Sequence, residues 1–174
     1  MPQVFIGLGS NIGERSDNLI NALYHIQNVP CRIKNISSIY ETEPVGPVPQ
    51  DFFLNAVVEL VTNLDCLPLF KVLQDIEKKM GRVKGIRWGP RIIDIDLLTV
   101  DQIVLRQRIL MLPHPRLASR RFVLVPFAEI APGHQIPGTG KTVQELLSEN
   151  RDHSDVNFFM SSCVVWKKLE KGLS

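Results

Sequence analysis

Phe53-Leu54-Asn55-Ala56-Val57-Val58-Glu59-Leu60-Val61 is a run of apolar and β-branched residues with no glycine or proline, and it reads as a strand. Just before it, residues 33–40 (Ile33-Lys34-Asn35-Ile36-Ser37-Ser38-Ile39-Tyr40) read as another. The link between them, 41–51, carries Pro44, Gly46, Pro47 and Pro49, which makes it long and stiff. Two successive strands with no helix between them belong in an antiparallel sheet.

Working outward, Leu19, Ile20, Leu23, Ile26 and Val29 recur at helical spacing until Pro30, and residues 4–8 before them form a strand stopped by Gly9-Ser10-Asn11. On the other side, Asp65 is placed to cap a helix with Pro68 in its first turn. Leu69, Val72, Leu73, Ile76 and Met80 lie on one side of it, and Gly81 ends it. Residues 92–100 then read as a buried strand carrying Asp94 and Asp96, which face the same way because strand side chains alternate. A short hairpin is expected around Asp101-Gln102, then a turn at Pro113-His114-Pro115 and a short helix over 122–130 with Pro126 near its start. A last helix, 143–149, opens with the capping box Thr142-Val143-Gln144-Glu145. The order β-α-β-β-α-β plus C-terminal helices predicts a ferredoxin-like α+β sandwich, with helices on one face of an antiparallel sheet.

The chain has 174 residues, 44% of them hydrophobic and 22% charged, which suits one globular domain and excludes disorder. Residues 1–150 are expected as that domain and 151–174 as a C-terminal extension. Twenty Lys and Arg against eighteen Asp and Glu leave a net charge of +2, too little for a nucleic-acid or membrane binder. Cys31, Cys66 and Cys163 are odd in number and far apart, so no disulfide framework is expected. The first residues do not read as a signal peptide and no apolar run approaches about 18 residues, so neither a leader nor a membrane span is expected. The expectation is a cytoplasmic monomer.

Chemistry concentrates in Arg87-Trp88-Gly89-Pro90-Arg91-Ile92-Ile93-Asp94-Ile95-Asp96. Two carboxylates on one strand face either remain solvated or need a cation between them, and Mg²⁺ suits one or two carboxylates completed by water and phosphate. Lys78, Lys79, Arg82, Lys84, Arg87 and Arg91 bring six cations into fourteen residues, interrupted by Gly81, Gly85 and Gly89. This is either a soluble face or a mobile lid over a polyphosphate, with a nucleoside triphosphate as the favoured ligand. Phe53 and Asn55 share a strand face, and with Phe122 opposite they form either core or a slot for a flat heterocycle. Residues 137–142 imitate the end of a P-loop, but position 135 is Gln135 where glycine is required, so helix capping is the better reading. Gly7-Leu8-Gly9-Ser10-Asn11-Ile12-Gly13 fails the dinucleotide fingerprint by one position and reads as a substrate-binding turn. His114, between two prolines, is held extended and can address a phosphate.

Taken in order, Gly9-Ser10-Asn11, Phe53-Leu54-Asn55-Ala56, Gly81-Arg82-Val83, the 87–96 block, Pro113-His114-Pro115-Arg116 and Phe122-Val123-Leu124-Val125-Pro126 resemble the 6-hydroxymethyl-7,8-dihydropterin pyrophosphokinase family over 4–149. That resemblance implies transfer of the terminal diphosphate of ATP, the co-substrate, to the pterin's hydroxymethyl oxygen, with release of AMP. It implies two Mg²⁺ ions on Asp94 and Asp96, which with Arg82 and Arg91 would be the catalytic set. Thr42, Val45 and Asn55 would bind the pterin edge, Phe53 and Phe122 its faces, and Glu77 would support that side. Gln74, Arg82, Arg91, His114 and Arg120 would hold the nucleotide, and Trp88 would close with the lid. Lys84 stands where the family has a second arginine, which keeps the charge but loses the bidentate fork, and Arg121 stands where a small residue is usual. Two rivals are an RNA-binding ferredoxin-like module, disfavoured by acids beside its binding face, and an idle pterin-binding protein, which would not need both acids.

Overall fold

The structure, a computed structural model, describes residues 2–47, 49–82 and 89–172. Lys84, Arg87 and Trp88, and with them most of the expected lid, lie outside the described residues.

A six-stranded, wholly antiparallel sheet forms the frame, in the order β10 (Val156–Met160), β3 (Ile39–Thr42), β4 (Phe53–Thr62), β1 (Gln3–Ser10), β5 (Asp94–Val100), with β2 (Cys31–Ile36) also pairing β4. The fold is α+β, as expected. The single strand read over 33–40 is in fact two. Ser37 interrupts it by donating its backbone N–H to the Val57 carbonyl while its hydroxyl accepts the Val57 N–H, so both strands pair β4 with a kink between them.

Val4, Ile6 and Leu8 on β1 and Leu54, Ala56, Val58 and Leu60 on β4 point to one face, where α1 (Arg15–Gln27) and α2 (Cys66–Lys79) cover them. Helices on one face alone, however, is not what forms. Phe5, Val57 and Leu98 point the other way and are covered by α3 (Arg121–Ile130) and α4 (Val143–Glu149). The sequence of α3, RFVLVPFAEI, is too apolar to be left on a surface. Pro126 lies at the sixth of its ten residues rather than near its start, and is buried. Packing against the sheet holds a helix that the ring alone would weaken. Asp65 occupies the N-cap of α2 but its side chain makes no capping bond, whereas the Thr142–Glu145 capping box forms in full. The turn at 101–102 leads to no sheet partner. The hairpin lies further on, β6 (Leu105–Arg106) against β7 (Met111–Leu112). The P-loop lookalike is the turn between β8 (Gln135–Ile136) and β9 (Lys141–Thr142), with Gly138 and Gly140 at φ of 74° and 69°.

Residues after Asn150 join this frame. β10 pairs β3, and α5 (Ser162–Lys171) sinks Val165 and Leu169 into the α1 side of the core. Among the described residues no helix is long and apolar enough to cross a membrane.

In the second core the His134 ring lies 4.6 Å from Phe5 and stacks on Phe127 at 5.6 Å. Burial lowers its pKa from 6.5, against the opposing pull of Glu59 and Asp101. Below pH 6.5 the unfolded chain takes up the proton before the folded one does, so stability is complete above that pH and declines as pH falls. Glu77, whose carboxyl is raised, acts in the opposite sense, so the His134 contribution is read by difference. In urea unfolding at pH 7 and pH 5, His134→Gln is expected to lose less stability, or gain more, than the parent on acidification.

Candidate active site

The face of the sheet that carries α3 is apolar at one end and polar at the other, and α3 covers the apolar end. Its open end is a cleft enclosing about 700 Å³, part of it open solvent. The strand register sets the floor: Asn55 on β4, Gly9 on β1 and Asp94 on β5 form one cross-strand row, and Val57, Gly7 and Asp96 the next. Because the central strand contributes two glycines, nothing rises between the Asn55 carboxamide and the two carboxylates. Phe53 lies one alternation beyond Asn55, and Phe122 reaches in from the first turn of α3.

The resulting slot has an amide and two rings at one side and charge at the other. Asn55 is buried, and its Nδ2 donates to Thr42 Oγ1 at 2.7 Å. Thr42, Val45, Phe53, Asn55 and Phe122 all line the cleft. Asp94 is bracketed, with Arg82 on Oδ1 at 2.8 Å and Arg91 on Oδ2 at 2.7 Å. Arg120 donates to Asp96 Oδ2 at 2.8 Å while its guanidinium carbon lies 5.4 Å from the Phe122 ring centroid. His114 Nε2 is 3.8 Å from the same Asp96 oxygen. Its Nδ1 accepts the Arg116 backbone N–H at 3.2 Å, which places the ring proton on Nε2, toward Asp96. Burial lowers the His114 pKa, so at neutral pH the ring is an uncharged donor.

Glu77 stands behind this row rather than in the cleft. It is buried on α2, accepts the Ile95 N–H at 2.7 Å and pairs with Arg82, so it steers Arg82 toward Asp94. Burial pushes its carboxyl up to about 7, Asp94 adds to the rise, and the Ile95 N–H and Arg82 oppose it. Gln74 is exposed on α2 and does not line the cleft.

Three contributors have no individual role in the sequence reading, Asn11 and Gly9 entering it only as part of a substrate-binding turn. Gln50 lines the cleft from the proline-rich link. Asn11 is buried at the end of β1 and ties two loops together: Nδ2 donates to Gln50 Oε1 and the Asp51 carbonyl, while Oδ1 accepts the Arg91 N–H at 2.7 Å. Gly9 is the third. A Cβ there would lie 3.0 Å from Asn55 Oδ1, so the carboxamide needs a hydrogen at this position. Alternate glycines in a strand were the available signal, since they mark close approach by a ligand. Gly9→Ala is therefore expected to displace the Asn55 carboxamide and weaken ligand binding in the cleft, with the close contact offsetting the backbone-entropy gain in stability. Thermal unfolding and calorimetry separate the two effects.

The model of the 7,8-dihydro-6-hydroxymethylpterin-pyrophosphokinase family matches residues 5–132. The chain belongs to this family. A 2-amino-4-hydroxy-6-hydroxymethyldihydropteridine pyrophosphokinase of Methylorubrum extorquens is 43% identical over 150 residues, covering 86% of this chain and 94% of that one. The folic acid synthesis protein of Schizosaccharomyces pombe is 35% identical over 146 residues, which are 83% of this chain but 20% of that longer protein. The Plasmodium falciparum HPPK-DHPS crystal structure with pterin and p-hydroxybenzoate shares the fold, with a TM-score of 0.68 at 18% identity. It covers 85% of this chain, which spans 43% of that one. The family match includes every cleft residue named above.

Proposed function

We propose that the cleft holds 6-hydroxymethyl-7,8-dihydropterin between Phe53 and Phe122 with its ring edge on Asn55, Thr42 and Val45, and ATP over the Arg82, Arg91, Arg120 and His114 rim. Gln74, with Lys84 and Trp88 outside the described residues, carries over from the resemblance as further nucleotide contacts. Family membership makes the chain a pyrophosphokinase of folate biosynthesis. The reaction moves the terminal diphosphate of ATP to the hydroxymethyl oxygen and releases AMP.

The observation that carries this reading is the row Asn55, Gly9, Asp94, with Asp96 beside it: a ring-binding amide and a pair of carboxylates on one unobstructed floor. Among the described residues no cluster of three or more His, Cys, Asp or Glu offers a full metal cage. A pair of carboxylates is nevertheless the donor set Mg²⁺ accepts when phosphates and water complete it, and two Mg²⁺ ions would be held on Asp94 and Asp96. Bound there, they supply neutralisation of the polyphosphate charge. Arg82, Arg91 and Arg120 already neutralise the same acids, so they are positioned to exchange carboxylate for phosphate oxygen when ATP arrives. The Nε2–H of His114 supplies a further neutral donor. Glu77 keeps Arg82 in place.

The strand order β5, β1, β4, β2 with α1 and α2 as crossovers supports a ferredoxin-like βαββαβ core. On this reading 1–150 is one catalytic unit with 151–174 as its extension, acting as a cytoplasmic monomer without nucleic acid. Incubation with ATP, Mg²⁺ and the hydroxymethyl-dihydropterin is expected to yield AMP. ADP, or no nucleotide product from folded protein, would overturn the assignment.

A further inference from the structure

We infer that Asp152, in the C-terminal segment, is a positioning residue for the cleft: its carboxylate caps α3 and so fixes the turn that carries Arg120 and Phe122. A helix begins with backbone N–H groups that have no partner within it. The N-cap residue of α3 is Arg120, which offers no side-chain acceptor and whose guanidinium is committed to Asp96. Its carbonyl accepts the N–H groups of Val123 and Leu124, and the Arg121 N–H is left to Asp152 Oδ2, 3.1 Å away and 31 residues further on.

The cap is itself held. Asp152 Oδ1 accepts the Ser154 N–H at 3.0 Å, the Asp152 N–H donates to Asn150 Oδ1, and Asn150 Nδ2 donates to the Ala118 carbonyl. The same short segment therefore grips the loop into α3 at two points. Its anchors are firm on both sides, since α4 precedes it and β10 follows it on β3. Burial alone would raise the Asp152 pKa, but the bonds from Ser154 and Arg121 outweigh it and keep the carboxyl low. A charged carboxylate at a helix start also meets the favourable end of the helix dipole. The family match ends at residue 132, so this support comes from outside the matched segment.

The inference deepens the proposed function and rests on it where Arg120 and Phe122 meet ligand. The test uses the full chain and two variants, Asp152→Ala and Asp152→Asn, because asparagine keeps one acceptor oxygen for the Arg121 N–H while giving up the second, which Asp152 spends on the Ser154 N–H. Amide exchange of residues 121–124 is expected to quicken about fivefold in Asp152→Ala and by clearly less in Asp152→Asn. KM for the pterin is expected to rise about as much in the alanine variant, with kcat changing less, and to rise clearly less in the asparagine variant. Unchanged exchange would overturn the cap. Quickened exchange with unchanged KM would overturn the positioning role, as would an asparagine variant as impaired as alanine. Should Asp152→Ala not fold, Asp152→Ser, which can keep a bond to the Ser154 N–H but has too short a side chain for the Arg121 N–H, replaces it against Asp152→Asn. If the parent protein makes no AMP, the proposed function fails while the exchange measurements still decide the cap.

Discussion

Asp94→Ala and Asp96→Ala are each expected to leave a folded protein whose diphosphate transfer is slower by about a thousandfold. Each carboxylate lies half-buried on the floor of the cleft, outside both apolar cores, so its removal creates no cavity among apolar side chains. Removing Asp94 leaves Arg82 and Arg91 without the acid that brackets them, and removing Asp96 does the same to Arg120. These cations are partly exposed, and water compensates much of that loss. Transfer has no such compensation, because charge on the polyphosphate must be neutralised where the oxygens meet. Single-turnover measurement at saturating Mg²⁺, beside a thermal unfolding curve, checks both halves. Near-normal turnover in either variant would remove that acid from the metal role.

Asn55→Ala is expected to weaken pterin binding about ten- to a hundredfold, the effect of leaving buried ring polar groups unpaired at about 1 to 3 kcal/mol. The variant also strands the Thr42 hydroxyl, which receives the Asn55 amide. Turnover at saturating pterin should fall much less, since in the proposed arrangement Asn55 would hold the ring and not the reacting oxygen. Calorimetric titration with the pterin reads the first effect and kcat the second. Unchanged affinity would place the ring elsewhere in the cleft.

The local elements that chemistry needs were legible in the chain itself. The 53–61 run is β4, the spacing of Leu69, Leu73 and Ile76 is α2, and the capping box starts α4. Alternation alone put Asp94 and Asp96 on one face, because side-chain direction along a strand is a local property. Asp65 shows the limit of local signals. It sits at the N-cap by sequence, yet its side chain makes no capping bond, whereas α3 is capped by a residue far along the chain that no local signal marks.

What the chain alone determined, then, is which way each side chain faces along its own strand or helix, since that follows from backbone periods of 2 and 3.6 residues. Tertiary structure decided what lies across from it. The row Asn55, Gly9, Asp94 joins three strands whose register no local pattern specifies. The same holds for the second helical layer: Phe5, Val57 and Leu98 are apolar in the sequence, but nothing local says that α3 covers them and stops short of Asn55 and the acids. An apolar helix covers only as much sheet as its length and its apolar partners allow. The cleft is the polar remainder of that face.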